Sequence, residues 1–101
     1  MGIEQKLQKE IDESNRWVDK AEGVYKRDLV IRIELINWVL DNMKSPNPNL
    51  PICKIIELKM NEIIDKINQI HNLIEADPLD SQLRIFDWIL YHVCSKEINQ
   101  L

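Results

Sequence analysis

Ile56-Glu57-Leu58-Lys59-Met60-Asn61-Glu62-Ile63-Ile64-Asp65-Lys66-Ile67-Asn68-Gln69-Ile70-His71-Asn72-Leu73-Ile74 is the stretch that decides how this chain reads. Its apolar positions Ile56, Met60, Ile63, Ile67, Ile70 and Ile74 step by four, three, four, three and four. Residues three and four apart share a helix face, so the spacing predicts a helix packed against other helices. On this reading the element spans 50–76. Asn49 would cap it and Pro51 would sit in its first turn.

On the C-terminal side, Asp77-Pro78-Leu79-Asp80 reads as a helix start, with Asp77 accepting amide hydrogen bonds, Pro78 in the first turn and Asp80 near the positive helix end. The resulting helix, 78–98, carries the stripe Leu79, Leu83, Phe86, Leu90 and Val93. On the N-terminal side, Ser45-Pro46-Asn47-Pro48-Asn49 reads as a stiff turn, because the residue before a proline is pushed out of the α region. Before it, Ile3, Leu7, Ile11, Val18, Tyr25, Leu29, Ile36, Leu40 and Met43 line one side of residues 3–44. An unbroken helix over that span would run roughly 60 Å.

A weak internal repeat favours a break. Ile36-Asn37-Trp38-Val39-Leu40 parallels Phe86-Asp87-Trp88-Ile89-Leu90 at an offset of 50. With a one-residue shift, Ile3, Leu7, Ile11, Val18 and Val24 fall on Ile52, Ile56, Met60, Ile67 and Leu73. Such a chain is a doubled helical hairpin with its first break at 22–28, near Gly23. The expected fold is therefore all-α, an antiparallel helical bundle of three long helices, or four if residues 3–44 break. It is read as a single domain over 1–101, the size of one compact domain.

Composition narrows the function. The 101 residues are 45% hydrophobic and carry a formal net charge of −4, which suits a folded, mildly acidic chain. Lys26-Arg27 and Arg32 are interleaved with Asp28 and Glu34, so no basic stripe is available to displace counterions from nucleic acid. Met1-Gly2-Ile3-Glu4-Gln5-Lys6 lacks the apolar run of a signal peptide, and no stretch reaches the roughly 18 apolar residues of a membrane span. A cytoplasmic protein is expected, with Cys53 and Cys94 as buried, reduced hydrophobes.

Chemistry is equally sparse. The residues three before His71 and His92 are Asn68 and Ile89, so the Glu-x-x-His pattern of di-iron bundles is absent. Cys53, His71, His92 and Cys94 are too few and too dispersed for an expected zinc site. The only glycines are Gly2 and Gly23, which leaves no phosphate-cradling loop. No cofactor, metal or catalytic residue is expected. In architecture alone the chain is similar to the small all-helical chorismate mutases, which would ask Arg16, Arg27, Arg32 and Arg84 to gather a dicarboxylate substrate; no motif supports that comparison.

Several large apolar residues lie off the main stripes. Trp17, Val24, Ile31 and Trp38 recur every seven residues with Leu35 beside them, while Ile85, Trp88 and His92 form a matching set near the C-terminus. Tryptophan is enriched as an interface anchor, and each ring carries on the order of 150 to 250 Å² of surface. These eight residues are the expected partner or dimer interface. The expected function is non-enzymatic protein binding, as a small acidic inhibitor, immunity protein or antitoxin that occludes its partner. The alternatives are a self-associating structural or adaptor homodimer and the mutase-like enzyme.

Overall fold

The computed structural model describes residues 2–45 and 49–98, with side chains described up to residue 94. It is all-α. Among the described residues the elements are α1 (Ile3–Val18), α2 (Gly23–Lys44), α3 (Ile52–Gln69) and α4 (Leu73–Ile98). The chain divides into two compact units, Met1–Ser45 and Pro46–Leu101, in which α1 packs on α2 and α3 packs on α4. The four-helix reading is thus the observed one. The expected turn prolines Pro46 and Pro48 lie outside the described residues.

In the first hairpin α1 buries Leu7, Ile11 and Ser14, and α2 buries Leu29, Ile36, Val39 and Leu40. Each fully buried Leu or Ile is worth about 1.5–3 kcal/mol of transfer free energy, so this apolar seam outweighs helix propensity as the source of order. At one edge of the hairpin the Arg32 guanidinium of α2 donates to Glu10 of α1 at 3.5 Å. The break between the helices comes earlier than residues 22–28. The Lys20 and Ala21 amides donate to the Trp17 and Val18 carbonyls, tightening the end of α1. Glu22 is extended, and Gly23 opens α2 at φ +64°, a left-handed conformation that favours glycine. Ala21 is buried within this turn.

The second hairpin corrects expected helix boundaries. The helix expected at 50–76 ends at Gln69, and Ile70 is already extended at φ −94°, ψ 131°. The helix expected to start at Pro78 starts five residues earlier, at Leu73. Asn72 provides the start: its Oδ1 accepts from the Ile74 amide at 2.9 Å, and its carbonyl accepts from the Ala76 amide. Pro78 consequently lies inside α4. The bond it cannot make is the one to the Ile74 carbonyl, on a residue largely in water, where solvent replaces the missing donor. At its other end α3 begins at Ile52 and not at 50, and the cap residue is Pro51 in place of the expected Asn49, its carbonyl accepting from the Lys54 and Ile55 amides.

The core of this hairpin is Ile56 and Ile63 on α3 with Ile85, Phe86, Ile89 and Cys94 on α4. Of the expected α4 stripe only Phe86 is buried, while Leu79, Leu83, Leu90 and Val93 are half-buried. Ile74, expected on the α3 stripe, is exposed because the helix that would have turned it inward has ended.

The cysteines differ from expectation as well. Cys53 and Cys94 are joined in a disulfide across α3 and α4, with their Cα atoms 6.2 Å apart. The physical reason is the hairpin itself. It brings the start of α3 beside the far part of α4, within the span a disulfide bridges, and a separation of 41 positions is little obstacle once packing has closed the loop.

Burial follows the sequence repeat in part: Ile11 and Leu40 are buried where Met60 and Leu90 are half-buried, and Ile3 is exposed where Ile52 is half-buried, while other pairs agree. Ile36 and Phe86 are buried, as are Val39 and Ile89; Asn37 and Asp87 are exposed, and Trp38 and Trp88 are half-buried. At the shifted offset Leu7 and Ile56 are buried, Ser14 and Ile63 are buried, and Val18 and Ile67 are half-buried.

Candidate interaction surface

On α4 the residues expected at an interface form a cluster of rings. The Trp88 and His92 centroids lie 4.3 Å apart at 49°, one helical turn from each other, and Tyr91 meets His92 edge-on at 5.2 Å. Tyr91, which the sequence reading passed over, is 67% exposed, while Trp88 and His92 are half-buried. Its position three residues after Trp88 and next to His92 was the available signal. Ile85, expected beside them, is buried with Phe86 and Ile89.

On α2, Ile31, Leu35 and Trp38 are half-buried. One turn beyond Trp38, the Asn42 amide donates back to the Trp38 carbonyl at 2.8 Å. Asn42 holds the place that His92 holds in the second hairpin, so the two tryptophans have equivalent backbone positions with different neighbours. Trp17 and Val24 belong to a different region, the turn between α1 and α2. There Trp17 is 53% exposed and Val24 and Tyr25 are each 59% exposed, with the Lys20 ammonium 5.6 Å from the Trp17 ring centroid. The α3–α4 turn is also apolar and in water, with Leu73 at 88% and Ile74 at 82% exposure.

Three of the arginines considered for an anionic substrate face carboxylates. Arg27 meets Asp28 at 3.1 Å, Arg32 meets Glu10, and Arg84 meets Asp80 at 2.7 Å. An open groove of about 340 Å³ at the start of α1 is lined by Gly2, Ile3, Glu4, Gln5 and Met43, none of them cationic. Among the described residues no group of three or more His, Cys, Asp or Glu side chains is placed to hold a metal ion. Among the same residues no helix is long and apolar enough to cross a membrane. No family model matches the chain, and neither a curated protein nor a solved structure matches it.

Proposed function

We propose that the protein works by binding another protein through the ring-bearing side of α4, occluding or scaffolding its partner without bond chemistry. The observation that carries this reading is the Trp88–His92–Tyr91 cluster, a group of rings held together on one helix and left partly in water. Such rings anchor interfaces because they bury much apolar area for few torsions. The net charge of −4 would steer association toward a basic partner. An inhibitor, immunity protein or antitoxin acts in this way. Affinity capture from the native host tests the reading with wild type and with Trp88→Ala/Tyr91→Ala, both checked for helicity. A protein retained by the wild type and lost from the variant supports it. Retention of nothing, or equal retention by both, refutes it.

The expected cytoplasmic location and the Cys53–Cys94 bond pull in opposite directions, because cytosolic thiols are kept reduced. The bond favours an oxidising compartment for this binding role. Rapid alkylation of native material followed by mass measurement decides between them: two alkylated cysteines place the chain in a reducing compartment.

A further inference from the structure

Among the described residues, six large apolar side chains expose more than half of their surface: Trp17, Val24, Tyr25, Leu73, Ile74 and Tyr91. Five of the six lie at the turns of the two hairpins. Scattered exposed apolar residues need no explanation, but their concentration at two chain reversals marks contact surfaces. The two ends also differ in charge. Residues 16–28 hold Arg16, Lys20, Lys26 and Arg27 against Asp19, Glu22 and Asp28, whereas residues 71–80 hold Glu75, Asp77 and Asp80 with no Lys or Arg. By formal charge the first stretch is +1 and the second −3, with Asp80 of the second meeting Arg84 one turn away.

We propose that these ends are the two halves of one self-association surface, the α3–α4 turn of one copy docking on the α1–α2 turn of another. The same chain supplies an aromatic, cationic half and an aliphatic, anionic half, so a second copy satisfies both requirements at once. Leu73 and Ile74 would cover the Trp17 ring and Tyr25, while Glu75 and Asp77 face Lys20 and Lys26. Like ends are disfavoured because two α3–α4 turns would oppose their carboxylates. The contact is therefore heterologous, which makes a closed assembly or an open chain of copies. This inference is independent of the α2 and α4 ring faces, and it assigns Trp17 and Val24 to contact between copies.

Sedimentation velocity on the full chain, from about 1 to about 100 μM, covers the affinities of small transient interfaces. Association that rises with concentration is expected. It should weaken at least tenfold as salt goes from about 0.1 to about 1 M, where the screening length falls from about 10 to about 3 Å. Glu75→Lys/Asp77→Lys and Lys20→Glu/Lys26→Glu, each confirmed helical, should each sediment as monomers. Mixed in equal amounts they should associate again, because every end then meets an opposite charge. Leu73→Ser/Ile74→Ser, a change confined to exposed positions, should abolish association in either background. A monomeric wild type across the whole range overturns the proposal. So does association that survives the charge reversals, or a mixture that stays monomeric. The host-partner capture by α4 is read separately and should be unchanged in Leu73→Ser/Ile74→Ser, so the two readings fail independently.

Discussion

Reducing the Cys53–Cys94 bond should cost the second hairpin much of its stability. The bond closes a loop of 41 positions between α3 and α4. In the chain-entropy account, such a loop removes about 13 cal/mol/K from the unfolded ensemble, or about 4 kcal/mol at 25 °C. Typical domain stability is about 5–15 kcal/mol, so this is a large share of the total. For a chain of this size the loss corresponds to a fall in Tm of about 15 to 30 °C. The assay is thermal and urea unfolding of the wild type with and without reductant, alongside Cys53→Ala/Cys94→Ala, which should match the reduced wild type and ignore the reductant. Hydrogen exchange should locate the loss in residues 52–98. A difference below about 1 kcal/mol between oxidised and reduced protein would refute the reasoning, since chain entropy would then not be what the bond supplies. Two titratable thiols in the unreduced chain would refute the pairing itself.

Phe86→Ala, at a fully buried position, should destabilise by about 3–5 kcal/mol in urea unfolding. Gly23→Ala should cost about 1–2 kcal/mol from backbone conformation alone, because an added Cβ there meets no atom within 4 Å while φ is +64°; a neutral result in denaturant titration would contradict the left-handed start of α2. Asn72→Ala should lose about 1 kcal/mol by removing the bond from the Ile74 amide, with faster amide exchange confined to the first turns of α4.

Helix periodicity carried most of the fold because a helix must repeat its apolar face every three or four residues to bury it, and Leu7, Ile11, Leu29, Ile36, Ile56 and Ile63 obey that rule. The ends of the helices were less legible. Ile70 and Ile74 continue the periodic pattern past the true end of α3, and periodicity cannot register that Asn72 captures an amide and starts a new helix there. Pro78 misdirected the reading for a related reason: the carbonyl it leaves unbonded lies near a helix start in water, so an internal proline is tolerated. The repeat held more information than was drawn from it. It already implied a hairpin at 52–98, and a hairpin puts the start of one helix beside the far part of the next, which is how Cys53 and Cys94 meet. The exposure of the turns was not legible. Leu73, Ile74 and Tyr25 have the same composition as core residues, and only chain reversal turns them outward.

The α3–α4 turn has one more property. His71, Asn72 and Leu73 are exposed, and they lie between the two joined cysteines. A protease that nicks the backbone there would cut the polypeptide without releasing either piece, since the sulfur bridge still ties them. The clipped molecule would gain the mass of one water and migrate as two fragments only after thiol treatment.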